Sequence, residues 1–257
     1  MAKLNSVIKG KRNQPPRILI YGGEGIGKTT FASQAPNPIF IETEEGSDSL
    51  DVARFPLAKN FRDVTESIRE LRDTEHDFKT VVIDSADWLE RFIHEWILQT
   101  DGAENMAKAC GGYGGGFQVA IGHWRTVLQN LDQLRNKGMA IIFVAHSQVV
   151  PVKDPEQPQY DQNRPRLHKD SSALLTEWAD VVGFAARKIA GRVVKDADGE
   201  EKFIPLNAGS GGAERVLRLT GSPTWVAKNR FNLPAEIPLQ WEKFIGSFTA
   251  QAETVAS

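Results

Sequence analysis

Cysteine is nearly absent from this sequence: its 257 residues contain one, Cys110. That excludes an intramolecular disulfide and any multi-cysteine metal site, and it fits a reducing cytoplasm. Long hydrophobic runs are missing as well. No stretch is long enough to span a bilayer, and residues 1–16 carry Lys3, Lys9, Lys11 and Arg12 without the apolar segment of a signal peptide. No membrane partner is expected, and the cytoplasm is the expected compartment. Net charge is scarce too: 31 Lys plus Arg stand against 33 Asp plus Glu, a formal charge of −2. Such a balance gives no global attraction to nucleic acid or acidic lipid, so any contact with a polyanion must come from a local patch.

What is present is enough apolar material, 40% of residues, for one sizeable core. The boundaries read as a basic leader over 1–16, one α/β domain over 17–248 and a small polar tail over 249–257. Short buried-strand runs begin at Arg17, Pro38, Thr80 and Met139. Between them lie helical patterns: one opening near Lys28, one carrying Phe61, Val64, Ile68 and Leu71, one running from Trp88 to Ile97, and one from Phe117 to Leu134 closed by Gly138. Strands alternating with helices predict a mainly parallel sheet covered on both faces. Residues 149–170 are polar, contain four prolines and are long for a connection, so they read as a disordered or functional loop. Beyond Ala179 the pattern turns to strands and hairpins, with a turn at Asp198-Gly199, that extend the sheet with antiparallel strands.

The chemistry starts at Gly22-Gly23-Glu24-Gly25-Ile26-Gly27-Lys28-Thr29, followed by Thr30. This run fits G-x-x-x-x-G-K-S/T between a predicted strand and a predicted helix, the setting the motif requires. Its glycines let backbone N–H groups converge on phosphate oxygens. The helix start adds a favourable dipole, Lys28 supplies charge for the β and γ phosphates, and Thr29 can ligate Mg²⁺. Asp84, closing the strand Val81-Val82-Ile83, suits the second hold on Mg²⁺, though Asp84 or Ser85 would also serve as a helix cap. ATP and Mg²⁺ are therefore the expected ligands. Many P-loop ATPases place a glutamate directly after the magnesium aspartate as base for the attacking water. Here that position is Ser85, which sends the search to Glu42, Glu44 and Glu45 at the end of the neighbouring strand.

Taken together these residues resemble the RecA-like recombinase ATPases. The resemblance implies that Glu44, last in Phe40-Ile41-Glu42-Thr43-Glu44, is the water-activating base, and that His146, ending Ile141-Ile142-Phe143-Val144-Ala145, stands where a γ-phosphate sensor stands, usually a glutamine. A histidine capping a strand is the alternative. It also implies that Lys228 and Arg230, in Lys228-Asn229-Arg230, reach a neighbouring subunit's ATP; two exposed basic residues at a strand end is the competing reading. By the same resemblance two loops near 102–118 and 149–170 contact single-stranded DNA, through Lys108, Tyr113 and Phe117 in the first and Arg164, Arg166 and Lys169 in the second. The compact form looks like the short phage-encoded ATP-binding proteins of the Sak type, which implies recombination or single-strand annealing, a homo-oligomer with ATP at the subunit interface, and a single-stranded-DNA-binding protein as a possible partner. A replicative-helicase-like or loader motor, and an annealing module merely stabilised by ATP, are the rival expectations.

Overall fold

The computed structural model describes residues 14–156, 158–188, 191–195, 201–205 and 214–254, with the backbone alone described at 191–193, 195, 201–205 and 249–254. The leader lysines and Arg12, and the Asp198-Gly199 turn, lie outside the described residues.

The apolar run of β1 (Arg17–Gly22) alternates its side chains between two cores. Leu19 and Tyr21 face one, Ile18 and Ile20 the other. A strand buried on both faces must lie inside the sheet, and β1 pairs in parallel with β5 (Ala140–Val152) on one side and β7 (Val181–Arg187) on the other. Beyond β5 come β4 (Thr80–Asp84), β2 (Pro38–Glu42) and the two-residue β3 (Ala53–Arg54), all parallel. Beyond β7 the chain adds β10 (Arg215–Arg218) and β12 (Glu236–Pro238) antiparallel, with β11 (Lys228–Asn229) also paired to β7. The order is β12-β10-β7-β1-β5-β4-β2-β3, a mainly parallel sheet with C-terminal antiparallel strands, as expected.

Helices cover both faces. On the Leu19 side lie α2 (Phe61–Asp73), α3 (Ala86–Asp101), α4 (Gly115–Asn136) and α5 (Lys169–Trp178). The periodic stripe Phe61, Val64, Ile68 and Leu71 is buried, and Asn60 caps its helix by accepting a bond from the Asp63 N–H at 3.1 Å. On the other side α1 (Lys28–Ser33) and α6 (Trp241–Thr254) meet through Phe31, Trp241 and Phe244, whose ring centroids are 5.4 to 5.6 Å apart. The α6 backbone is helical to Thr254, across the start of the small polar tail, and its earlier turns are anchored by that aromatic cluster.

Residues 149–170 differ most from expectation. They are not an irregular loop: β5 runs on past the sheet and folds into a hairpin with β6 (Tyr160–Pro165), and α5 follows at once. Past the sheet β5 pairs on the β6 side and is open on the other, which is why Pro151 is accommodated. A separate hairpin joins β8 (Gly191–Lys195) to β9 (Glu201–Pro205). β11 is only two residues long, and Trp225 before it is held by isolated bridges to Asn163 and Ser222.

Candidate functional site

Strand register brings the chemistry together. Gly22 lies opposite His146, Asp84 opposite Val144, and Glu42 opposite Asp84, so the C-terminal ends of β1, β5, β4 and β2 form one rim. Because β5 lies between β1 and β4, His146 is set between the glycine loop and Asp84. Crevices outside the carboxyl ends of such strands are where open α/β sheets bind ligands. Here the rim encloses a cavity of about 340 Å³ lined by Lys28, Thr29, Glu44, Asp84, His146 and Arg215, among others.

The loop's glycines are dictated by geometry at two points. A Cβ on Gly22 would lie 2.4 Å from the Ala185 carbonyl oxygen, and Gly27 sits at φ 104°. Ile26 is the loop's anchor, buried in the α1/α6 core. Lys28, only 6% exposed, donates from Nζ to the carbonyls of Gly22 (3.0 Å) and Gly23 (2.8 Å). Burial lowers its pKa, opposed by Asp84, Asp87 and Glu44. Two carbonyls leave one ammonium N–H for a further acceptor. The α1 helix has six residues, so the loop's own N–H groups rather than a long helix dipole face an anion.

The Thr29 hydroxyl donates to Asp84 Oδ2 at 2.7 Å. Burial raises the Asp84 pKa, with the Thr29 bond opposing it and the Glu44 charge adding to it. Among the described residues no group of three or more His, Cys, Asp or Glu could hold a metal. A cation here would therefore take two protein oxygens and fill its shell from water and phosphate. That pattern suits Mg²⁺, which dehydrates reluctantly, so the residues present fit ATP with Mg²⁺.

The acidic turn is stitched to the end of β4. Thr43 donates from N to Asp84 O (2.8 Å) and from Oγ1 to Ser85 O (2.9 Å), and accepts from the Ser85 N–H (2.7 Å). The Asp84–Ser85 peptide is cis. Ser85 Oγ donates to Glu44 Oε1 at 2.6 Å. The three glutamates separate by environment. Glu42 is buried beneath the turn, accepts from the Ser47 hydroxyl, and is pushed up in pKa by burial; Glu45 is exposed; Glu44 is half-buried on the cavity wall.

His146 is held by Asp87, in the first turn of α3. Asp87 accepts from the His146 backbone N–H (3.0 Å) and lies 2.9 Å from its Nδ1, while Arg166 Nη2 donates to the same carboxylate at 2.7 Å. Burial alone would raise the Asp87 pKa, but these bonds hold the carboxyl well below the usual range. The Asp87 hydrogen bond raises the His146 pKa against the effect of burial. Sequence reasoning missed Asp87; its position three residues after Asp84, in the first turn of a helix, was the available signal. Nothing in the sequence announced Arg215.

Lys228 and Arg230 lie at the other end of the sheet. Lys228 is opposite Val182 near the start of β7, three residues before Ala185, the partner of Gly22, and so about 10 Å from the rim at roughly 3.3 Å per strand residue. Its Nζ donates to the carbonyls of Thr176 and Glu177 at the end of α5, and Arg230 joins Arg17 and Arg135 around the buried Asp180. The residues singled out for DNA are dispersed. Lys108 is paired with Glu104, Tyr113 is fully exposed, and Phe117 is stacked on His168 at 4.2 Å instead of facing solvent, because it lies in the first turn of α4 against α3. Arg166 turns to Asp87. Arg164 and Lys169 share a groove of about 400 Å³ with Lys228.

Comparison with known proteins adds two findings. The profile of the family described as AAA domain matches residues 14–231. The "SPbeta prophage-derived uncharacterized protein YorG" of Bacillus subtilis (strain 168) is 19% identical over 134 residues, covering 51% of this chain and 40% of that protein. The chain thus matches less than half the length of that relative.

Proposed function

This chain belongs to the AAA domain family, and on that footing we propose that it binds ATP with Mg²⁺ and hydrolyses it, as a RecA-like phage recombination protein that anneals or pairs single-stranded DNA. The observation that carries the ATPase reading is the convergence of Lys28, the Thr29–Asp84 pair and Glu44 on one cavity. Mg²⁺, when bound, supplies Lewis-acid polarisation of the phosphates, and Thr29 and Asp84 would hold it. Lys28 binds the phosphate oxygens through its remaining N–H. Glu44 accepts the proton of the attacking water on Oε2 while Ser85 fixes Oε1. His146, oriented by Asp87, stands where it senses the terminal phosphate.

The DNA role is supported by the resemblance to short phage recombination ATPases and by the groove of Arg164, Lys169 and Lys228, and the phage setting by the prophage relative. An assembled state is supported by the position of Lys228 and Arg230. They lie away from their own nucleotide site and are held by the α5 carbonyls and Asp180; released from these, as the resemblance implies, they would serve a head-to-tail neighbour's ATP in a ring or filament. The host cytoplasm and a single-stranded-DNA-binding partner belong to the same proposal.

The test is ATP turnover by the purified chain across protein concentrations, with and without single-stranded DNA at low salt. Stimulation by DNA, together with a concentration-dependent rate that Lys228→Ala loses, is the expected result. A rate indifferent to DNA, with no binding at low salt, removes the DNA role and leaves the ATPase.

A further inference from the structure

Arg215 opens β10, the strand the C-terminal third adds beside β7. Its place is set by register: Arg215 lies opposite Arg187 and Leu217 opposite Ala185, while Ala185 is also the partner of Gly22. The antiparallel strand therefore brings its first residue to the same rim as the glycine loop. Positions two apart share a face, and Leu217 is buried in the α1/α6 core, so Arg215 points to the α1 side of the sheet.

There its guanidinium lies over Gly27. Nη1 would be 2.7 Å from a Cβ at that position, and it is 3.4 Å from the Ile26 carbonyl oxygen, a long bond that holds little. Among the described residues Arg215 forms no ion pair with a carboxylate. Arg218, on the opposite face of the same strand, has both Glu236 and the Trp225 ring. Arg215 is exposed and lines the nucleotide cavity with most of its five donors unspent.

The cavity's charge is divided by strand order. Glu42, Glu44, Glu45 and Asp84 stand on the β4/β2 flank and Arg215 on the β10 flank, with the glycine loop, which carries Glu24 and leads to Lys28, between them. Thr29 and Asp84 fix the end of the phosphate chain that carries the metal and is attacked. The chain must then leave the rim away from those carboxylates.

We infer that Arg215 is a phosphate-binding residue of this same subunit, contacting the phosphate nearest the nucleoside. This rests on the ATP reading above and adds a residue and a direction to it. A planar fork of donors above Gly27 suits a phosphate's paired oxygens. That phosphate is present in ADP and unchanged by hydrolysis, so the contact is made equally in ground state and transition state. Such uniform binding shows in affinity and not in kcat.

Isothermal titration of the full chain with MgATP and MgADP, alongside steady-state turnover, tests this. Arg215→Ala raises both Kd values roughly 10- to 100-fold, the range for one charge-assisted hydrogen bond, and Arg215→Lys recovers part of the loss. The rate at saturating ATP stays within about twofold of the parent's. Unchanged affinity for both nucleotides in Arg215→Ala refutes the inference, as does a lost kcat at unchanged Kd. If the alanine variant does not fold, judged by its melting without nucleotide, Arg215→Gln takes its place under the same criteria. A parent chain that binds neither nucleotide overturns the ATPase reading itself, and this inference with it.

Discussion

Replacing Glu44 by Gln tests the chemistry with little disturbance to the fold. The glutamine carbonyl takes over the role of Oε1 and still accepts from Ser85 Oγ, so the 2.6 Å contact that positions the side chain survives. Lys28, Thr29 and Asp84 are untouched. What changes is the other oxygen, which becomes an NH₂ group that donates and cannot take up a proton. A positioned general base contributes about 10²–10⁴-fold, equivalent to about 2.7–5.4 kcal/mol of barrier. Glu44→Gln is expected to lose that factor in kcat and keep its affinity for MgATP, read by phosphate release and calorimetry on the same preparation. Ser85→Ala leaves the base in place but frees its orientation, and loses roughly tenfold, the lower end for a hydrogen bond to a charged group. Turnover by Glu44→Gln within about tenfold of the parent would refute the assignment and pass the role to Glu45, the exposed carboxylate of the same turn.

Two further outcomes probe the scaffold. Gly22→Ala drives a Cβ to 2.4 Å from the Ala185 carbonyl oxygen, and because both groups are backbone-fixed in adjacent strands, a loss of about 1–3 kcal/mol or more is expected in chemical denaturation; an unchanged midpoint would contradict the packing of β1 on β7. The His146–Asp87 pair should make stability depend on pH. Since folding raises the His146 pKa, its contribution is complete below the unfolded value of about 6.5 and disappears as pH climbs through the folded one. The depressed Asp87 carboxyl acts at the other limit, with stability present above about pH 3.9 and lost as pH falls through its folded value. The gap in melting temperature between the parent and Asp87→Asn should therefore narrow between pH 6 and pH 9, roughly the span of histidine titration, down to the share that Arg166 contributes through the same carboxylate; a constant gap would exclude the pair.

Much of this molecule was fixed by local order along the chain. The glycine run between an apolar strand and a helix names its ligand because backbone N–H groups, one lysine and one hydroxyl in fixed succession are enough to hold a phosphate. The buried runs at Ile18, Phe40, Val82 and Ile142 announced a covered parallel sheet because only strands hidden on both faces are apolar throughout. Other features depend on contacts between residues far apart in sequence, which no pattern of neighbours reports. Residue pattern alone left three glutamates within four positions open, with only the resemblance pointing to Glu44; that Thr43 ties β2 to β4 and that Ser85 donates to Glu44 are contacts no neighbour pattern reports. Arg166 read as a cation in a polar loop, yet the hairpin of β5 and β6 carries it to Asp87, and β10 brings Arg215 to a loop encoded almost two hundred residues earlier. Composition fixed the kinds of groups available; strand order and register decided which of them share a cavity, since side-chain chemistry acts over a few ångströms and the sheet alone sets those distances.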